Sequence, residues 1–213
     1  MREFIRSLMN SKDFGQLATE ESINITKEAL EKNGIKVLVV ENGEIAKEKA
    51  LEIIPAGAEI MNMVSVTIDS IGLAKEINES GKYNSVRGKF AKMDPKTQGQ
   101  EMKKLGSAPE WTIGSVHAAT EDGKVIVASL TGSQLPAYVF GSGHVVWIVG
   151  SQKIVKDLDE GMQRINEYVF PLENERAQKA YGQKSSINKI LIFNKEVVLS
   201  RITMIIVKEK LGF

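Results

Sequence analysis

Apolar positions along the chain fall into short β-branched runs separated by segments with helical spacing. Residues 15–33 (GQLATEESINITKEALEKN) read as a helix, and Gly34 stands where a left-handed residue would close it. Lys36–Glu41 (KVLVVE) follows as a strand of the kind buried in a parallel sheet, broken by Asn42-Gly43. Glu44–Ile54 repeats Ile45, Ala46, Leu51 and Ile54 at roughly helical spacing and ends at Pro55 and Gly57. Ala58–Val64 (AEIMNMV) is a second strand and Thr67–Glu79 a second helix. Strand, helix, strand, helix predicts α/β winding. Residues 80–110 are rich in Lys and punctuated by Gly81, Gly88, Asp94-Pro95 and Gly99. They read as a solvated loop and connecting helix, Thr97–Leu105, with Arg87 or Lys92 reaching a ligand only as the lesser reading.

Ile113–Thr120 (IGSVHAAT) alternates as a strand, Glu121-Asp122-Gly123 is a turn signal, and Lys124–Ala128 is the next β-type run. A β-hairpin near 113–128 is therefore predicted. Lys124–Ala128 and Val145–Val149 each run into a polar, Gly-containing loop, Ser129–Gln134 (SLTGSQ) and Gly150–Lys153 (GSQK). The segment between the two strands is long enough for a crossover, with a helix over Leu135–Phe140. This predicts a β–α–β unit with parallel neighbouring strands. Both loops would then meet at one carboxyl edge, where ligands of open α/β sheets sit. Further on, Asp157–Val169 places Leu158, Met162, Ile165 and Val169 on one helical face and is expected to stop at Pro171. Asn174–Tyr181 reads as another helix closed by Gly182, and Lys189–Phe193 and Arg201–Val207 as the last strands. With no repeat, low-complexity tract or linker, residues 1–213 read as a single α/β domain. Its parts are the N-terminal helix 15–33, a central ligand-loop unit 112–153, and C-terminal helices and strands over 157–213.

Charge and composition narrow the partners. Twenty-eight Lys plus Arg against 27 Asp plus Glu leave a net charge of +1, so no electrostatic case exists for nucleic acid or an anionic membrane. The 213 residues contain no cysteine, which excludes thiolate nucleophiles, disulfides, Cys-ligated zinc and cysteine-bound iron–sulfur clusters within this sequence. The first twenty residues lack the apolar core of a signal peptide, and no apolar run approaches the ~20 residues that span a bilayer. The expectation is a cytoplasmic protein with no membrane partner.

Candidate chemistry lies first in Ser129, Thr131, Gly132, Ser133 and Gln134. A small loop with free amides at a helix N-terminus favours an anion; the other reading is a strand-to-helix turn with Ser133 as N-cap. The loop matches neither Walker A nor GxGxxG. In Gly150, Ser151 and Lys153, the lysine would neutralise a carboxylate or phosphate, or else be a solvated surface lysine. Glu121 reads as a nucleophile or general base, or as a turn glutamate in water. A tight hairpin places it at the opposite end of Lys124–Ala128 from Thr131. His117 and His144 have no HxxxH or HExxH spacing and make no metal site. His117 reads as a strand histidine satisfied by backbone and His144 as a strand-entry residue. Ser115, Ser129 or Ser133 with either histidine makes a triad on paper, but without a GxSxG elbow. Arg164 and Arg176, among Glu160, Glu167, Glu173 and Glu175, read as exposed ion pairs; Trp111 and Trp147 read as core or subunit-contact residues.

The run GSVHAATEDGKVIVASLTGSQLPAYVFGSGHVVWIVGSQKIVKDLDEGMQRI, continued by PLENERAQKAYG and the closing LGF, resembles the lactate-utilisation (LUD) domain family. The stretch from Ala108 to Phe213 carries the resemblance; the N-terminal hundred residues fit in length and α/β rhythm. Where related members have a Glu-Thr-Gly-Thr-like turn, this chain has Glu121-Asp122-Gly123-Lys124. The resemblance implies a three-layer α/β sandwich with a mainly parallel central sheet, similar to the ribose-phosphate isomerase and CoA-transferase superfamily. It also implies a cytoplasmic system that oxidises L-lactate to pyruvate alongside iron–sulfur partner proteins. With no cysteine the chain resembles the cluster-free type. It is then expected to be a non-redox accessory that binds a small anionic ligand (carboxylate or phosphate) or a partner subunit through the 129–134 and 150–153 loops and carries no cofactor of its own; separately, a homodimer is the expected assembly. The alternative is an isomerase- or transferase-superfamily enzyme acting on a sugar phosphate or acyl-CoA with Glu121 as base or nucleophile, and whether the chain is an enzyme stays open.

Overall fold

Residues 12–213 are described by the structure, a computed structural model. The placement of residues 1–11 in the same domain, and their reading as free of a leader, lie outside the described residues. Thr19 caps the first helix, α1 (Glu20–Lys32), accepting the Ser22 N–H at 3.1 Å, and Gly34 closes it at φ +84°. β1 (Lys36–Val40), α2 (Gly43–Ile53) and β2 (Glu59–Asn62) follow. The helix expected over Thr67–Glu79 is two, α3 (Val66–Ser70) and α4 (Leu73–Glu79), because Gly72 between them takes a left-handed φ of +67°. Next come β3 (Asn84–Ser85), α5 (Val86–Phe90) and α6 (Pro95–Ser107), then β4 (Trp111–Gly114), β5 (Ala118–Thr120) and β6 (Val125–Ser129). A short π-turn (Ala137–Gly141) leads to β7 (His144–Gly150), a 3-10 turn (Ser151–Lys153) and β8 (Ile154–Val155). The chain ends with α7 (Leu158–Arg164), a π-turn (Ile165–Val169), α8 (Phe170–Tyr181), β9 (Lys189–Phe193) and β10 (Ile202–Val207).

The described strands form two sheets. The larger is parallel throughout, in the order β1-β10-β7-β4-β2-β3. The smaller is mixed, in the order β8-β5-β6-β9. Alternation places each strand. In β7, Val145, Trp147 and Val149 face the second sheet, while Val146 and Ile148 face the layer that contains Ala46, Ala50, Ile68, Leu73 and Ile77 of α2–α4. In β6, Val125 and Val127 face the first sheet, and Ile126 and Ala128 pack with Ile165 and Leu158. The fold is α/β with a central parallel sheet flanked by helices, as expected, and the second sheet is an added layer.

Three local expectations need correction. β6 and β7 are not parallel neighbours: β6 pairs antiparallel with β5 and β9, and β7 lies between β10 and β4 in the other sheet. Both are buried on both faces, so both give the same unbroken apolar run. The strand read over Ile113–Thr120 is split, with β4 in one sheet and β5 in the other; the hairpin is β5–β6 alone, with Ala118 opposite Ile126. Pro171 does not stop its helix. Phe170 N–H reaches back to Ile165 O, five residues away, and this wider turn carries the helical chain across the proline into α8. Among the described residues no helix is long and apolar enough to cross a membrane.

Candidate functional site

Two crossings from one sheet to the other run side by side. Because β4 lies beside β7 and β5 beside β8, Ser115-Val116-His117, joining β4 to β5, runs alongside Ser151–Lys153, joining β7 to β8. Arg164, fully buried at the end of α7, ties the two together by donating from Nε to Gln152 O at 3.3 Å and from Nη1 to His117 O. Beside the crossings opens a cavity of about 680 Å³. Its walls are largely apolar, with Met61, Met63, Phe90 and Ile165 among them, and Arg87 and Arg176 also line it.

Lys153 is the buried cation that lines the cavity at this junction, only 2% exposed. Its Nζ donates to Thr67 Oγ1 at 2.9 Å and Ser115 Oγ at 3.0 Å. Among the described residues no carboxylate lies within ion-pair distance of it. Burial, and then the nearby Arg164 charge, hold its pKa well below that of a free lysine. The solvated-lysine reading fails because a 3-10 turn between two sheets has no exposed side. Arg164 is likewise corrected from an exposed ion pair to a buried cation. Burial lowers its pKa to about 10, and its Nη2 has no hydrogen-bond partner among the described residues.

His117 also lines the cavity. Its Nδ1 accepts the Ala128 N–H at 3.1 Å, so in the neutral ring Nε2 bears the proton. Burial first, then the Lys153 and Arg164 charges, push its pKa down to about 3. At the cavity edge, Arg176 is held in a two-pronged pair with Glu173 at 2.7 and 2.8 Å, which raises the pKa of the guanidinium. Arg87 Nε donates to Asn62 O at 3.0 Å, and its pKa is lowered by burial.

Ser129, Thr131, Gly132, Ser133 and Gln134 all line the same cavity, and two of the loop's amides are already engaged within the loop itself. Gly132 N–H is bound by Ser129 Oγ at 2.8 Å and Ser133 N–H by Thr131 Oγ1 at 3.3 Å. Gln134 Nε2 donates to Ala128 O at 3.3 Å, and Ser129 Oγ donates to Gln134 Oε1 at 2.9 Å. The loop closes on itself, and the element after it is a single π-turn too short to aim a helix dipole. Gly132 and Ser133 therefore do not offer free amides to a ligand. Gly150 and Ser151 do not line it. Gly150 is pinned under the returning chain, where a Cβ would sit 2.7 Å from Leu211 N and 2.8 Å from Glu209 O, and Ser151 is buried. Of the second loop, Lys153 alone reaches the cavity.

Glu121 lies at the other end of β6, accepting a hydrogen bond from Ser22 Oγ at 2.6 Å. It lines neither this cavity nor a second one beside Asn42 and Glu209. Gly123, at φ +82°, packs onto the end of α1, where a Cβ would come within 2.7 Å of Ala29 backbone. Hairpin geometry alone thus separates Glu121 from the loop at Thr131. Among the described residues no group of three or more His, Asp or Glu could hold a metal ion.

The LUD-domain family model matches residues 23–207. The chain belongs to the LUD-domain family. A crystal structure of a DUF162 family protein from Deinococcus radiodurans at 1.70 Å resolution is similar at a TM-score of 0.55 and 13% identity, covering 90% of this chain and 99% of that one. At that identity the likeness shows the fold alone. No curated protein matches the sequence.

Within this LUD domain, sequence reasoning passed over Thr67 and undervalued Arg164. A signal for Arg164 was present. Gly161 approaches β6 so closely that a Cβ would meet Ile126 Cδ1, and the residue three positions on faces the same sheet. The polar break Ser115-Val116-His117 inside an otherwise alternating run marked the crossing. Chemically, the site joins an amine in an apolar setting, two hydroxyls that orient it, a neutral imidazole and an apolar chamber.

Proposed function

We propose that this LUD domain binds a small organic carboxylate with its head at Lys153 and its body along the apolar wall, as a non-redox component of L-lactate utilisation. The observation that carries this reading is Lys153 itself, buried at the cavity with no carboxylate partner among the described residues. Unpaired buried cations cost several kcal/mol, which a bound anion offsets: a charge pair at 4 Å contributes about 4 kcal/mol at an effective dielectric of 20. Arg164, close enough to act on the lysine electrostatically, adds to the demand for negative charge. The sequence supplies no cysteine to ligate an iron–sulfur cluster, so in this reading electrons from lactate pass through partner proteins.

Size sharpens the choice of ligand. A chamber of about 680 Å³ lies in the range that encloses drug-sized molecules, more than a three-carbon acid fills. Longer 2-hydroxy and 2-oxo acids are therefore expected to bind more tightly than lactate or pyruvate. Thermal-shift and calorimetric titrations with L-lactate, pyruvate, their longer homologues, sugar phosphates and acyl-CoA test this. A ligand at 100 times its Kd adds about 2.7 kcal/mol of stability. Stabilisation by the carboxylates, lost in Lys153→Met, is the expected result. Stabilisation by sugar phosphate or acyl-CoA alone, with turnover abolished in Glu121→Gln, overturns it in favour of the transferase-type alternative.

A further inference from the structure

The hydroxyls around Lys153 fix the direction of its hydrogen bonds. Ser115 Oγ donates to Ile148 O at 2.7 Å, and Thr67 Oγ1 donates to Leu211 O at 3.2 Å. A hydroxyl has a single proton, so each oxygen turns a lone pair towards Nζ. Nζ therefore donates twice, and its remaining tetrahedral position is the one left for the cavity that Lys153 lines. In the ammonium form that position holds a proton; in the amine form it holds the nucleophilic lone pair. The same arrangement argues against Ser115 as a nucleophile activated by the lysine, because the serine proton is committed to Ile148 O.

We infer that Lys153 is a nucleophile that condenses reversibly with the carbonyl of a bound 2-oxo acid to form an imine. This rests on the carboxylate-binding reading of the cavity and adds a covalent step to it: the ammonium form pairs with the carboxylate, and the amine form attacks the neighbouring carbonyl. Nζ forms a bond to the carbonyl carbon as the C=O π bond breaks, and an amine proton ends on the new hydroxyl. That hydroxyl then leaves as water with the second amine proton, giving the C=N bond. No oxidant or reductant is needed. Arg164 and the apolar surroundings both disfavour the ammonium form, which raises the share of Lys153 present as the nucleophilic amine over that of a surface lysine. His117, with Nδ1 committed to Ala128, keeps its Nε2–H as a donor for the hydroxyl that departs.

The test is reductive trapping. The full chain is incubated at pH 7 with pyruvate or 2-oxobutanoate and sodium cyanoborohydride, then mapped by peptide mass spectrometry, with L-lactate, which has no ketone, as control. The expected result is one reduced-imine adduct on Lys153. Its labelling should exceed that of any surface lysine by roughly tenfold or more, because a lowered pKa raises the amine fraction at pH 7. Lys153→Arg should lose the adduct yet keep the thermal stabilisation by pyruvate, and Lys153→Met should lose both. Stabilisation of the wild-type protein without an adduct, or with label spread over surface lysines, overturns the covalent step and leaves carboxylate binding standing. Absence of both stabilisation and adduct overturns both.

Discussion

The Ser129–Gln134 loop and the Gly150–Lys153 segment each leave an apolar strand through a glycine and a serine, and each contributes to the same cavity. The first turns back on itself and engages the Gly132 and Ser133 amides through Ser129 and Thr131. The second continues at once into β8, on the other sheet, and is buried along its whole length. The difference lies in where the chain goes next. A loop that must only turn can meet its own hydrogen-bonding needs and stay at the surface. A loop that must cross between stacked layers has its polar groups met by neighbours, or left for a ligand.

Substitutions separate the two loops, and the largest effect belongs to the crossing. Gly150→Ala places a Cβ against the backbone of Glu209 and Leu211 and is expected to destabilise by about 3 kcal/mol, read as a lower denaturation midpoint in urea. Lys153→Met comes next. It should abolish the carboxylate-induced stabilisation, about 2.7 kcal/mol at 100 times Kd, while leaving the ligand-free protein as stable as the wild type or more so, since a buried charge is removed. Calorimetry with and without ligand measures both.

The pH dependence is the third prediction. His117 and Lys153 both have lower pKa values in the folded protein, so the unfolded chain binds more protons between each folded and unfolded value. Stability should therefore rise with pH, through the window from about 3 to 6.5 for His117 and from the lowered value of Lys153 up to about 10.4. Each group contributes at most about 1.4 kcal/mol per pH unit. A carboxylate bound at Lys153 favours the ammonium and should flatten the alkaline part, which urea midpoints from pH 5 to 9 would reveal.

At the self-contained loop the effects are smaller. Gly132→Ala meets a left-handed φ of +85° and the flexible end of Lys189, and should cost about 1 kcal/mol, or roughly 2–4 °C in Tm, without changing ligand affinity. Smallest of all is Glu121→Gln, far from the cavity. It weakens one hydrogen bond from Ser22, costs less than about 1 kcal/mol and leaves the carboxylate-induced shift unchanged.

Much of the fold was legible where one physical cause dominates. β1 and β10 announce themselves as unbroken apolar runs because both faces of a parallel sheet are covered, and Gly34 and Gly182 close helices because left-handed backbone favours glycine. The pairing of β6 and β7 was not legible, since a strand buried between two sheets and a strand buried between helices and a sheet give the same run. The site was half legible. Loop composition located Ser129–Gln134 and Lys153 at the cavity, yet a lysine's burial depends on which layers its neighbours join. Residue type pointed the other way for Lys153 and Arg164, and only the junction of the two sheets decides it.

The π-turn that carries the helix across Pro171 has a mechanical consequence. From Leu158 to Tyr181 the chain is one rod about 36 Å long, anchored at one end by Arg164 beneath both crossings and carrying Phe170, Glu173 and Arg176 along the chamber. Wide turns of this kind are where such rods bend most cheaply. A substitution that straightened or tightened Ile165–Val169 would therefore shift Phe170, Glu173 and Arg176 together relative to the buried anchor.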